Sequence, residues 1–272
     1  MKNKIKIYLA DLVHNYIGAG SYSFPLNISF ISSYAKKFYN ELLDIRLFKY
    51  PENLIEALKI EVPDILGFSC YTWNEDINKR ISAYARKIKA DLIIVCGGPN
   101  IDCNELGYKE FFEINPEADF YIPYQGEPGF INFLNLIFYR WNITKDKNFD
   151  NLDGIVKFDR ITKKIKIGKI LPRLKNPDEV PSPYLTGELD SFFETKLIPI
   201  IETNRGCPFR CSFCAQGFTS FHKIDFFDIE RVKDEIEYIA KKIKNTSLLL
   251  FADSNFGIHK RDYEIAEFIV RM

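Results

Sequence analysis

Residues 64–75 read D-I-L-G-F-S-C-Y-T-W-N-E, and their order decides the fold. Ile65 to Phe68 are apolar without interruption, as in a strand buried on both faces. A short turn from Ser69 to Trp73 follows. Asn74, directly before Glu75, is a helix amino-cap signal, and helical periodicity runs on from 75 to 89.

The same strand-then-helix pattern recurs on both sides. Strands are expected over 5–10, 44–48, 64–69, 92–96 and 119–123, with helices over 26–39, 52–59, 75–89, 105–113 and 130–139. This alternation predicts an α/β fold, a doubly wound, Rossmann-like parallel sheet with right-handed crossovers. Ligands on such sheets bind outside the carboxyl ends of the strands. The segments there begin at Asp11 (D-L-V-H-N-Y-I-G-A-G), Ser69 (S-C-Y-T-W-N), Gly97 (G-G-P-N) and Tyr124 (Y-Q-G-E-P-G). Their glycines suit either close approach of a ligand or tight strand-to-helix turns.

Beyond residue 140 the character changes. Residues 154–158 and 164–167 predict a hairpin, followed by Pro172, Pro177, Pro181 and Pro183, so 141–193 is expected to be a connector. A second rhythm then starts, with strands over 197–202 and 247–252, a helix over 229–242 and another from Tyr263. The expected organisation is therefore a domain at 1–140, the connector, and a second strand-helix domain at 194–272. Two strand-helix units leave sheet edges open, so a fragment, or a chain completed by a partner, is expected.

Composition narrows the function classes. The 272 residues are roughly enough for two domains, and 46% hydrophobic with 27% charged residues describes a globular chain. Thirty-seven basic residues balance 37 acidic ones, which removes any global attraction to nucleic acid or an anionic membrane. The apolar run at 7–10 is too short for a signal-peptide core, and no run approaches the roughly 18 residues of a membrane span. A cytoplasmic protein with no nucleic-acid partner is expected.

Six cysteines are present, three of them in T-N-R-G-C-P-F-R-C-S-F-C, residues 203–214. Cys207, Cys211 and Cys214 follow an expected strand directly. Thiolates packed this closely repel unless a metal neutralises them. Three soft sulfur ligands suit zinc with a fourth ligand, for which His222 is nearest, or an iron–sulfur cluster. No further cysteine lies downstream, so a cubane would keep one iron without a protein ligand.

C-P-F-R-C-S-F-C resembles the CxxxCxxC signature of the radical S-adenosylmethionine (SAM) enzymes. The resemblance implies that Cys207, Cys211 and Cys214 hold a 4Fe-4S cluster whose free iron chelates SAM. It also implies the first part of a partial (β/α) barrel, here C-terminally incomplete. Phe213 matches an aromatic near the adenine. Asp253 and Asn255, in F-A-D-S-N-F-G, match the polar groups that face the methionine amine, although the usual glycine-glycine-glutamate form is absent. Arg205 stands where it could tune the cluster potential. The implied reaction is reductive cleavage of SAM to a 5'-deoxyadenosyl radical, fed by an electron donor such as flavodoxin or ferredoxin.

The first domain is similar to the cobalamin-binding domain that precedes the barrel in one radical SAM subgroup. Such domains carry Asp-x-His-x-x-Gly, Ser-x-Leu and Gly-Gly. Here Asp11, His14 and Gly18 form a looser D-x-x-H-x-x-x-G, Ser69 precedes Cys70 and Tyr71, and Gly97-Gly98 follow at the familiar spacing. The likeness implies a cobalamin site lined by Ser69, Thr72, Gly97, Gly98, Gly126 and Glu127, without cobalt ligation by His14. It points to methyl transfer or a related radical reaction. The other class to weigh is a metal-binding module without catalysis, with zinc on the three cysteines and His222.

Overall fold

A computed structural model describes residues 4–14, 22–141, 152–214 and 223–272. In chain order its elements are β1 (Ile5–Ala10), α1 (Leu26–Tyr39), β2 (Leu43–Phe48), α2 (Pro51–Ile60), β3 (Ile65–Ser69), α3 (Glu75–Ile88), β4 (Ile93–Gly97), α4 (Glu105–Ile114), β5 (Phe120–Ile122) and α5 (Gly126–Arg140). There follow β6 (Val156–Asp159), β7 (Lys164–Ile167), β8 (Ile200–Ile201), β9 (Asn204–Arg205), β10 (Asp225–Phe226), α6 (Ile229–Lys242), β11 (Leu250–Phe251) and α7 (Lys260–Arg271). None of the described helices is long and apolar enough to cross a membrane.

The chain forms two compact units, one holding the large sheet through Arg173, the other Tyr22–Ser33 with Leu174–Met272. In the first, seven strands lie in the order β2-β1-β3-β4-β5-β6-β7. The first five are parallel, as the uninterrupted apolar strands predict. Their order reverses between β1 and β3, the switch point at which doubly wound sheets open a crevice. Leu66, Ile94 and Tyr121 are fully buried and pack with Phe111 and Phe112 of α4 and Ile81 and Ala85 of α3. Side chains of this size contribute about 1.5–3 kcal/mol each on burial.

The unit boundaries differ from the expected ones in two places. The hairpin read as connector continues the sheet, with β6 antiparallel to β5. Its inward residues alternate: Val156 and Phe158 are buried, and Phe158 stacks on Phe112 at 4.7 Å. Arg160 Nε, at the hairpin turn, donates to Asp119 Oδ1 at 2.8 Å, and Arg86 Nη2 holds Asp119 Oδ2 at 2.8 Å. The second difference lies in α1, whose amino-terminal half groups with the later residues. There Ser32 Oγ donates to Glu188 at 2.7 Å, Ser33 Oγ to the Pro181 carbonyl at 2.9 Å, and Phe30 stacks on Phe227 at 6.0 Å. Segments far apart in sequence make that unit, so local pattern does not mark its edge.

In the second unit β8 pairs in parallel with β11, and β9 pairs antiparallel with β10. Both expected strands there shorten to two residues, although a parallel bridge from Ser23 to Ile198 extends the first. Helix α6 matches its expected span. Asp228 caps it by accepting from Glu230 N and Arg231 N.

Candidate cofactor and metal sites

The carboxyl edge of the large sheet gathers the segments singled out from sequence. Ser69 of β3 is level with Gly97 of β4, and Gly97 with Ile122 of β5. Thr72 Oγ1 donates to Asn100 Oδ1 at 2.9 Å, joining the loops after β3 and β4. Tyr71 and Trp73 stack face to face at 4.4 Å, and Trp73 is 45% exposed. His14 Nε2 lies 2.7 Å from the Trp73 carbonyl, which ties the loop after β1 to the same edge. Gly126 opens α5, and Glu127 is buried in its first turn. Gly18 falls outside the described residues.

Asn74 departs from its expected role. Its side chain makes no cap hydrogen bond to α3. Instead Oδ1 accepts from Tyr71 N, and Nδ2 donates to the Leu12 and Ser69 carbonyls at 3.2 and 3.0 Å. Fully buried, the amide stitches the ends of β1 and β3 together across the switch point. A buried amide with three backbone partners is satisfied far better there than at a helix end.

Gly98 is explained by backbone packing. Its φ is +125°, and a Cβ there would stand 2.4 Å from the Cys70 carbonyl oxygen. Tyr121, wholly buried, donates to the Gly98 carbonyl at 2.5 Å and fixes the turn from below. Cys70 and Cys96 lie in the core, where their mutual hydrogen bond and burial push the Cys96 thiol up. Just past the carboxyl ends of β1 and β2, Lys49 Nζ reaches Asp11 Oδ2 at 2.8 Å as a buried ion pair, while Asp11 Oδ1 has no partner among the described residues.

The cysteine loop follows β9 in the second unit. Gly206, at φ +117°, turns the chain from β9 into it. Cys207 is buried, Cys214 half-buried and Cys211 exposed, and all three are free thiols. Cys214 N donates to the Cys211 carbonyl at 3.1 Å, closing a turn between them. Phe213 is 91% exposed. His222 lies outside the described residues. No three His, Cys, Asp or Glu side chains among the described residues converge on a single point that would hold a metal ion. The donor chemistry nonetheless fits a soft metal group: three sulfurs in one loop, none in a disulfide, and one already facing an amide donor.

Asp253 and Asn255 both meet the strand that delivers the loop. Asp253 Oδ1 accepts from Thr203 N at 2.7 Å and Asn204 N at 3.3 Å, and Oδ2 accepts from Asn204 Nδ2 at 2.8 Å and the Thr203 hydroxyl. Four donors occupy the carboxylate's lone pairs. Asp253 thus clamps the end of β11 to Thr203 and Asn204, at the strand end that precedes the cysteine loop. Burial pushes the Asp253 carboxyl above the usual carboxylate range, and the donors from Thr203 and Asn204 pull against that. Asn255 Nδ2 donates to Cys207 Sγ at 2.9 Å.

Arg205 is an anchored side chain. Its Nε donates to Glu202 at 2.8 Å, and its guanidinium lies 4.9 Å from the Phe30 ring centre and 5.4 Å from that of Phe227. These contacts fix β9 just before the cysteines. The sequence carried no sign of the Phe30 partnership, which spans two distant segments. The Asn100 amide oxygen that accepts from the Thr72 hydroxyl, by contrast, stands in the G-G-P-N stretch after β4.

A sheet with its switch point at β1/β3, followed by a strand that delivers CxxxCxxC into a loop, defines a two-part α/β chain. No family model matches it. The chain is 30% identical over 268 residues to the cobalamin-dependent radical SAM methyltransferase TokK of Streptomyces tokunonensis, an alignment covering 92% of this chain and 37% of TokK. It is likewise 30% identical over 230 residues to the 2-(S-pantetheinyl)-carbapenam-3-carboxylate methyltransferase of Streptantibioticus cattleyicolor, covering 80% of this chain and 32% of that protein. The chain therefore spans about a third of the length of the curated relatives it matches. In fold it is similar to OxsB, a cobalamin-dependent SAM radical enzyme solved with aqua-cobalamin and SAM bound, at TM-score 0.69 and 21% identity over 98% of this chain and 37% of OxsB. The chain is similar to the cobalamin-dependent radical SAM methyltransferase TokK along 92% of its own length, so the likeness carried by its cysteine spacing extends through the amino-terminal sheet.

Proposed function

We propose that this chain supplies the cobalamin-binding and cluster-binding parts of a radical SAM methyltransferase. The observation that carries the reading is the CxxxCxxC loop set directly after β9, in a chain aligned over 92% of its length with a cobalamin-dependent radical SAM methyltransferase. Cys207, Cys211 and Cys214 would hold a 4Fe-4S cluster, and SAM would take the remaining iron. Bound together, these groups supply a carbon-centred radical on reduction.

The chain's own residues bind and orient. Glu202, Phe30 and Phe227 hold Arg205 and so set the strand entering the cysteine loop. Asp253 locks the neighbouring strand end to Thr203 and Asn204. Phe213 presents an exposed ring that suits a planar base. On the sheet, Ser69, Thr72, Gly97, Gly98, Gly126 and Glu127 border the edge proposed for cobalamin, where the Tyr71–Trp73 stack offers a flat apolar surface. An electron donor such as flavodoxin or ferredoxin would be the redox partner, and a reducing cytoplasm suits its thiols.

The test is anaerobic reconstitution of the chain with iron, sulfide and aquacobalamin. The expected result is about four iron and four labile sulfides per chain, an EPR signal on reduction, and stoichiometric corrinoid. Stoichiometric zinc that resists exchange, with no labile sulfide, overturns the cluster and supports a non-catalytic zinc module. Failure of corrinoid binding overturns the cobalamin half alone.

A further inference from the structure

We propose that Asn255 is a positioning residue that raises the reduction potential of the metal group on Cys207 by hydrogen bonding to its sulfur. The inference rests on the cluster reading of Cys207, Cys211 and Cys214. Asn255 Nδ2 lies 2.9 Å from Cys207 Sγ, and the side chain is half-buried, so water competes weakly for the contact. Two residues earlier, Asp253 is clamped by Thr203 and Asn204, three to four residues before Cys207. The two loops are therefore joined twice, once at their strand ends and once at the sulfur itself. That fixes the direction of the amide without help from a ligand.

An N–H pointed at a thiolate ligand stabilises negative charge on sulfur. The reduced form of a cluster carries one more electron and spreads it onto its sulfurs, so the amide favours the reduced form over the oxidised one. Replacing the amide with a hydrocarbon of similar size removes this preference and keeps the volume. Asn255 thereby acts through the protein's own metal ligand, Cys207.

The experiment compares reconstituted wild type, Asn255→Leu and Asn255→Gln by EPR-monitored redox titration, with iron, sulfide and far-UV circular dichroism measured on each. Asn255→Leu is expected to load fully, and at the wild-type midpoint its reduced-to-oxidised ratio falls about tenfold, equivalent to about 59 mV for a one-electron couple. Asn255→Gln, which retains an amide, returns toward wild type. A loaded Asn255→Leu protein with the wild-type midpoint overturns the proposal. Loss of loading in Asn255→Leu but not in Asn255→Gln, with the fold intact, overturns it in favour of a role in retaining the metal group. Loss in both, with the fold intact, overturns it in favour of a purely steric role. Should the leucine variant misfold, Asn255→Ala takes its place under the same criteria. A wild-type chain that takes up no iron or sulfide sinks the cluster reading and this inference together, an outcome distinct from an unchanged midpoint.

Discussion

Asp253 grips Thr203 at two points, accepting from the backbone nitrogen at 2.7 Å and from the hydroxyl through its other oxygen. Strand β11 is only two residues long, so the pairing of β8 with β11 leans on this carboxylate. Asp253→Ala is expected to destabilise the second unit by about 2–4 kcal/mol, because several donors lose an acceptor at once. Urea denaturation followed by tyrosine fluorescence measures it. A loss below about 0.5 kcal/mol would show that the clamp is dispensable.

Lys49 and Asp11 form a buried pair at the carboxyl ends of β2 and β1, with side-chain exposures of 1% and 8%. Lys49→Met leaves a buried carboxylate without a counter-charge, and about 3–5 kcal/mol of stability is expected to go. Pairing it with Asp11→Asn should recover much of the loss. Equal stability of the single and double variants would contradict this account.

Glu235 lies inside the second unit, where burial pushes its carboxyl above the usual range while Arg231 draws it back. The sign follows from proton linkage: a folded-state pKa above the unfolded one means that the folded protein binds more protons between the two. The stabilising contribution is complete below the unfolded carboxylate value and fades as pH rises through the folded one. Glu235→Gln should therefore flatten the fall in melting temperature as pH rises above the ordinary glutamate value. Identical profiles for wild type and variant would refute it.

Gly98→Ala forces a side chain into a φ of +125° and against the Cys70 carbonyl at 2.4 Å. A cost of at least about 2 kcal/mol is expected, concentrated in the sheet unit. Corrinoid titration beside thermal melting separates a packing role from a ligand role. Full stability with lost binding would reassign the glycine to the ligand.

Cys211→Ala removes an exposed loop thiol. Stability should stay within about 0.5 kcal/mol of wild type while iron uptake collapses, since no core contact is lost. Wild-type iron content in the variant would remove Cys211 from the ligand set.

The strands and helices of the sheet unit were legible because apolar runs such as 65–68 and helical periods such as 75–88 are local patterns. So was the grouping of Cys207, Cys211 and Cys214, which lie within eight residues of one loop. Order along the chain alone, however, does not say where α1 divides between units or that the hairpin at Val156 extends the sheet. Nor does it say that Asn74 leaves its cap for three backbone partners, or that Asp253 and Asn255 turn to Thr203 and Cys207. Those outcomes depend on which polar groups become buried side by side after the chain has collapsed. A side chain's hydrogen-bond partner is set by that burial, and neighbours separated by some fifty residues meet only in the folded molecule.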